Sequence, residues 1–310
     1  MTGFDRGVCA IVGQDRVARN APLAPFTTLR VGGVADWLVT VRTADEVRQV
    51  VGVARQHNVT VSVMGGGSNL LVADTGVRGL VIRVHGGDVM GVDAETVRAD
   101  AGVTINGLVR WTINRGVAGL ELWAGTPGTV GGAVYGNAHF QGRLISEHVV
   151  GVAVVTPDGT IESVPAAAME FAYDDSRLQR SREIVVSADF RVTSGEPAIL
   201  RGIARESLAF RKRTQPLEAA SAGCIFQNPD PRVDTVPEGI PPSAGALVDR
   251  AGLKGSREGQ ARVSPTHANF IVNDGAATAA DIARLADRCK HEVRERFGVT
   301  LKEEIVRLGF

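Results

Sequence analysis

The 310-residue chain carries 34 Lys plus Arg against 34 Asp plus Glu, so it offers no general attraction to nucleic acid or to an acidic membrane. Hydrophobic residues make up 44% and charged residues 22%, the composition of an ordinary globular protein, and the length suggests two domains at roughly 150 residues each. Cys9, Cys224 and Cys289 are far apart and odd in number, which argues against a disulfide framework. The N-terminal stretch holds Asp5, Arg6, Asp15, Arg16 and Arg19 and lacks a signal peptide's apolar core, and no segment approaches the roughly 20 apolar residues of a membrane span. A cytoplasmic protein is expected. Glycine, at 37 residues, is in excess and lies between apolar runs, as turns or backbone-built ligand loops require.

Residues 1–21 read as a leader with a short apolar patch from Cys9 to Val12. A turn with paired glycines, Thr27-Thr28-Leu29-Arg30-Val31-Gly32-Gly33, precedes a strand at Trp37–Val41. Thr43 is placed to cap a helix on which Val47, Val50, Val51 and Ala54 recur at helical spacing, with Glu46 three residues after the cap. A strand over 59–63 completes a βαβ unit that runs into Gly65-Gly66-Gly67-Ser68-Asn69-Leu70. Further strands are expected at 80–84 and 96–99, and a helix from Gly102 to Arg115. A second glycine-rich loop follows, Gly125-Thr126-Pro127-Gly128-Thr129-Val130-Gly131-Gly132-Ala133. Pro157-Asp158-Gly159 has hairpin-turn chemistry between two apolar strands, and a strand over 183–192 closes this half. Ser194-Gly195-Glu196-Pro197 reads as the domain boundary. Beyond it, helices are expected over 198–213, 244–251 and 279–297, with strands at 224–226, 269–273 and 304–308.

The glycine triplet fails two phosphate-loop tests: no Lys-Ser/Thr pair follows it, and Leu70 stands where a dinucleotide fingerprint needs a third glycine. No nucleophile elbow is present. His57, His85, His139, His148, His267 and His291 have no metal-ligand spacing and read as surface or packing residues, so no metal site is expected. What remains is a set of backbone-rich loops in the first half, suited either to tight turns or to a long cofactor with a diphosphate in its middle.

The three glycine motifs resemble the flavin-binding motifs of the UDP-N-acetylenolpyruvoylglucosamine reductase (MurB) family, type II form. So do Ser221-Ala222-Gly223-Cys224-Ile225-Phe226-Gln227-Asn228-Pro229, Gly252-Leu253-Lys254-Gly255, His267-Ala268-Asn269-Phe270 and Leu301-Lys302-Glu303-Glu304-Ile305. The resemblance spans about residues 22–309. It implies an α+β protein: a two-part FAD-binding PCMH-type domain over 22–194, then a small α+β substrate-binding domain over 195–310. It implies non-covalent FAD held by Arg30, Gly32, Gly33, Gly65, Gly66, Gly67, Ser68, Asn69, Leu70, Gly125, Thr126, Pro127, Gly128, Thr129, Gly131, Gly132 and Ala133. NADPH is the implied reductant, UDP-N-acetylglucosamine enolpyruvate the substrate and UDP-N-acetylmuramate, a peptidoglycan precursor, the product. A monomer is expected.

Carried residue by residue, the family's proton-donating Ser falls on Cys224, whose thiol, with a reference pKa of about 8.5, keeps its proton at neutral pH. The catalytic Glu falls on Glu304, and its neighbour Glu303 reads as a solvent-exposed residue on the opposite face of a strand. Asn228 and Lys254 fall on substrate-binding positions; Asn269 is a further motif position, for which holding a turn is one reading. One position departs. The family's Tyr-Arg-x-Ser, whose Arg binds the substrate carboxylate, is here Tyr173-Asp174-Asp175-Ser176. Arg177 would reach the same place if the segment were helical, because residues three apart share a helix face; the alternative cations are Arg211, Lys212 and Arg213. Two other functions stay open: an oxidase of the same fold, and a non-catalytic paralogue that binds flavin and a nucleotide sugar.

Overall fold

The computed structural model describes residues 2–310 and divides into two compact units. The first comprises Met1–Ala21, Ala35–Gly66 and Arg78–Phe210; the second comprises Pro22–Val34, Gly67–Val77 and Arg211–Phe310.

The first unit holds two sheets. One has four strands in the order Val17–Pro22, Val34–Val41, Val77–Val84, Val61–Met64, the last two parallel. The expected βαβ unit is there, with the Ala44–Gln56 helix capped by Thr43 Oγ1 and burying Val47, Val50, Val51 and Ala54. The second sheet has five strands in the order Ile161–Pro165, Val149–Val155, Ile184–Arg191, Thr96–Asp100, Val89–Gly91, all antiparallel. Its hairpin turns at Thr156–Thr160, as the Pro-Asp-Gly chemistry requires. The Gly3–Val12 helix buries Phe4, Val8 and Val12 in this unit's core, so the first residues are part of the fold rather than a detached leader.

The second unit is built on the Ala279–Phe297 helix and a sheet in the order Ala220–Ser221, Ile271–Asn273, Ala261–Val263, Arg257–Glu258. Its core joins Leu29, Val31 and Leu71 to Ile225, Phe226, Leu247, Ile282 and Leu285. The short Leu70–Val72 strand pairs in parallel with Val306–Leu308, near the end of the chain. Two early segments therefore belong with the late part of the sequence, and the Pro197–Thr214 helix lies with the first unit as far as Phe210. A single boundary at 194/195 cannot express this division, because apolar residues at 29, 31 and 71 are buried by residues more than 150 positions away. The 224–226 strand is reduced to one antiparallel bridge, Phe226 to Glu303.

Candidate active site

In the first unit the two glycine loops meet. A Cβ on Gly66 would lie 2.9 Å from Gly128 Cα, so these backbones approach as only glycine permits. Gly128 O accepts from Ile105 N at 3.1 Å and Gly131 N donates to Ala101 O at 2.9 Å, tying the second loop to the Thr96–Asp100 strand and the Ile105–Asn114 helix. Asn106 closes the loop's near end: its Oδ1 accepts from Gly125 N at 2.7 Å and its Nδ2 donates to Thr126 O at 3.3 Å. Thr129 Oγ1 caps the Val130–Tyr135 helix at Gly132 N. Two glycine-rich loops whose backbones touch offer the close main-chain approach an extended diphosphate cofactor needs, so these residues fit FAD.

In the second unit, Arg30, Gly32, Gly33 and Gly67–Leu70 form the other part of the expected flavin set. A Cβ on Gly33 would sit 2.2 Å from Asp74 O, so close packing demands this glycine whatever it binds. Asn69 joins the loop to the end of the chain: its Nδ2 donates to Glu304 O at 2.9 Å, and its O accepts from Val306 N at 2.9 Å.

Glu304 N donates in turn to Ile225 O at 2.8 Å, which brings the Cys224 and Glu304 segments together. Asn269 holds the first of these. Buried at 3% exposure, it accepts from Phe226 N at Oδ1 (3.0 Å), donates through Nδ2 to Phe226 O (2.8 Å) and accepts from Ile225 N with its own carbonyl (2.8 Å). Its amide does what a neighbouring strand would do. Gly223 has φ of +81°, and Ile225 and Phe226 are anchored in the core, so the half-buried Cys224 thiol stands on a fixed stem. Asn228 Oδ1 accepts from Ala244 N at 3.0 Å, at the start of the Ala244–Arg250 helix, and Lys254 Nζ pairs with Asp249 at 2.7 Å. Burial, then the Lys254 charge, push the nearby His267 imidazole below its usual value.

Glu303 corrects an expectation. It is not solvent-exposed: Lys290 donates to it at 2.7 Å and Arg307 at 2.6 Å, and its side chain is 16% exposed. Burial opposes ionisation there, but the hydrogen bonds from Arg307 and Lys290 outweigh it and hold the carboxyl below its usual range. Its backbone forms the antiparallel bridge to Phe226.

Asp174 gives a second correction, to the route by which Arg177 was expected to act. Residues 174–177 are not helical: Asp174 has φ of +52°, and Ala172 and Asp175 form a tight bridged turn. Arg177 is engaged by Glu183, through Nε to Oε2 at 2.9 Å and a second bond from Nη2, and reaches Ala168 O with Nη1. That carboxylate raises the guanidinium's already high pKa further. Asp174 is instead 2.9 Å from His139 Nδ1, thirty-five residues away. Sequence spacing dismissed that histidine, and nothing local could have recovered it. Of the alternative cations, Lys212 and Arg213 are exposed, while burial pushes Arg211 down to about 10.

Glycine loops fit for an extended diphosphate cofactor, with the Cys224 and Glu304 segments hydrogen-bonded through their backbones, suit a flavin-dependent oxidoreductase. The family comparisons agree. Residues 35–164 match the model of an FAD binding domain, and residues 215–308 match the C-terminal domain of UDP-N-acetylenolpyruvoylglucosamine reductase. The chain is 39% identical over 291 residues to UDP-N-acetylenolpyruvoylglucosamine reductase 2 of Symbiobacterium thermophilum, covering 94% of this chain and 91% of the relative. It is 38% identical over 296 residues to the Bacillus subtilis reductase, covering 95% and 94%. The crystal structure of the Thermus caldophilus reductase superposes with a TM-score of 0.77 at 35% identity, over 94% of this chain and 99% of that one. p-Cresol methylhydroxylase shares the fold, with a TM-score of 0.56 at 10% identity over 94% of this chain and 86% of that one. The chain belongs to the UDP-N-acetylenolpyruvoylglucosamine reductase family and is an FAD-dependent enzyme.

Proposed function

We propose that the chain reduces UDP-N-acetylglucosamine enolpyruvate to UDP-N-acetylmuramate for peptidoglycan synthesis, with NADPH as reductant. The reading includes a cytoplasmic monomer, with the flavin divided among the loops named above and the substrate held largely by residues after 194. When bound, FAD supplies the redox chemistry, carrying a hydride from NADPH to the methylene carbon of the enolpyruvyl group. Cys224 holds a proton at Sγ and delivers it to the neighbouring carbon, which becomes the stereocentre of the lactyl ether. Glu304 faces the charge that develops on the enolpyruvyl carboxyl during this step. Asn228 and Lys254 contribute contacts to the sugar nucleotide.

The observation that carries the reading is the Ile225–Glu304–Asn69 chain of hydrogen bonds, at 2.8 and 2.9 Å. It links the main chain beside Cys224 to that of Glu304 and, through the Asn69 side chain, to the flavin loop, which supports placing the three segments at one site. A simple oxidase would not call for a thiol donor there. Asn269 adds support: its side-chain amide is spent on fixing the donor's stem.

The test is anaerobic. The purified protein is yellow, NADPH bleaches it, and the enolpyruvyl sugar nucleotide restores the colour with formation of one product per flavin. Reoxidation by oxygen alone, with no response to the sugar nucleotide, would make it an oxidase. Flavin that NADPH never bleaches would make it a non-catalytic binder.

A further inference from the structure

Asp174 and His139 form a cluster that the proposed reaction leaves unused. Asp174 is more than nine-tenths buried, and its Oδ1 lies 2.9 Å from His139 Nδ1. Its other oxygen, Oδ2, has no hydrogen-bond partner among the described residues. A buried carboxylate oxygen with open lone pairs is costly and calls for a donor or a cation. The surroundings hold the pair in place. Gln179 Nε2 donates to Asp174 O at 2.9 Å, the fully buried Asn137 donates to Ala172 O at 2.6 Å, and Tyr173 stacks on the imidazole with ring centroids 4.8 Å apart. Asp174 and Asn137 both sit in the left-handed region, at φ of +52° and +44°, a strain the tight turn sustains.

The protein cations of this loop are committed elsewhere. Arg177 pairs with Glu183, and Arg180 pairs with Asp175 at 2.7 Å and Glu170 at 3.1 Å. The 2.9 Å between Asp174 Oδ1 and His139 Nδ1 is also the separation of two adjacent ligand atoms on one metal ion: bonds of roughly 2.1 Å at right angles put them about 3.0 Å apart. Imidazole nitrogen with carboxylate oxygen is a donor set for a divalent transition metal.

We propose that His139 and Asp174 bind a divalent transition-metal cation, through His139 Nδ1 and the Asp174 carboxylate, and that this cation receives the carboxylate of the substrate. The second half rests on the function proposed above. Metal binding moves the proton shared by His139 Nδ1 and Asp174 Oδ1 to His139 Nε2 or to solvent and, with both carboxylate oxygens on the ion, gives Oδ2 its missing partner. It also turns an acid that would repel an anionic ligand into a site that attracts one. His139 and Asp174 are thirty-five residues apart, which is why the histidine spacings gave no metal signal.

The test uses the FAD-loaded protein, stripped with chelator and titrated calorimetrically with zinc and with manganese. The wild type is expected to bind one equivalent of at least one of them, and His139→Gln and Asp174→Asn each to weaken that binding by about 10- to 100-fold, as for loss of a metal ligand or its partner. Flavin content per chain reports that the variants are folded, and Asn suits the left-handed backbone at 174. A second titration follows flavin absorbance on adding the enolpyruvyl sugar nucleotide or UDP-N-acetylglucosamine, which lacks the carboxylate. Metal is expected to tighten the first ligand about 10-fold or more and to leave the second unchanged. Stoichiometric metal binding that both variants retain, or a wild type that binds neither metal, overturns the site. Metal binding with no effect on the carboxylate-bearing ligand overturns its assigned role. If the wild type binds metal but its flavin never responds to either nucleotide, the proposed function fails and the metal site stands.

Discussion

The Cys224 stem carries a family motif, the Asp174 turn departs from one, and the two are held differently. The stem is held at its own main-chain atoms: Asn269 makes three hydrogen bonds to Ile225 and Phe226, two of them through its side-chain amide, and Glu304 N supplies a fourth. The turn is closed by the Ala172–Asp175 backbone bridge, and its charged side chains are themselves paired: Asp174 with His139, Arg177 with Glu183, Arg180 with Asp175. A backbone frame places whatever side chain it carries, so a thiol can stand where the family has a hydroxyl. In the turn the charged side chains are themselves the bonded groups, and Asp174 pairs with His139.

The largest expected effect tests the stem. Cys224→Ala removes the proposed donor and leaves the Asn269 and Glu304 hydrogen bonds to Ile225 and Phe226 in place. Flavin content and bleaching by NADPH should be retained, while reoxidation by the enolpyruvyl substrate falls by about 10²- to 10⁴-fold, the usual worth of general acid catalysis. Stopped-flow absorbance separates the two half-reactions, and wild-type reoxidation in this variant would falsify the donor assignment. Asn269→Ala should do the reverse, damaging the frame and leaving the thiol. It strands Phe226 N–H and C=O in the core at about 1–3 kcal/mol each. The thermal midpoint should fall by several degrees in differential scanning calorimetry, and turnover should fall with it. An Asn269→Ala protein of unchanged stability would mean that the stem is held by something else.

The contrast also explains what was legible in the sequence. The glycine loops could be read because close backbone approach leaves glycine as the allowed residue, and Gly66 against Gly128 is such a contact. Helices with buried faces four residues apart, such as Ala44–Gln56, were legible for the same local reason. Cys224 and Glu304 were reached by motif, but the hydrogen bond between Ile225 and Glu304 spans nearly eighty residues and leaves no trace in spacing. His139 with Asp174, Glu303 with Lys290 and Arg307, and the transfer of residues 22–34 and 67–77 to the second unit are all long-range pairings. Each was misjudged or missed because local composition does not encode a partner.

Gly66→Val probes the loop contact at intermediate cost. The added Cβ meets Gly128 Cα at 2.9 Å, and a backbone atom cannot swing aside as a side chain can. The loops should part enough to lower FAD per chain severalfold, measured from the visible spectrum of purified protein, with the circular dichroism spectrum retained. A fully yellow Gly66→Val protein would make the contact a turn constraint unrelated to the flavin.

The smallest effect comes from the other buried aspartate of the first unit. Asp5 is as buried as Asp174, but both of its oxygens are used: Trp37 Nε1 donates to Oδ1 at 2.9 Å, and Thr2 Oγ1 donates to Oδ2 at 2.8 Å. Burial alone would raise its pKa; the hydrogen bonds from Trp37 and Thr2, with the charge of Arg19, outweigh it and hold the carboxyl at about 2. A folded pKa below the ordinary value of 3.8 means that ionised Asp5 stabilises the fold above about pH 4, and that this contribution fades as pH falls toward 2. Asp5→Asn should therefore be less stable than wild type at neutral pH, and the difference should shrink on acidification through that window, as followed by urea unfolding at pH 7, 4 and 3. Asp174→Asn should behave otherwise. With one oxygen unpartnered, that carboxylate gives the apo fold less to lose, so its substitution should move ligand and metal affinity more than the unfolding midpoint. Matching stability losses in the two variants, with affinities unchanged at 174, would make Asp174 a structural aspartate like Asp5 and remove the contrast between a satisfied carboxylate and one that awaits a ligand.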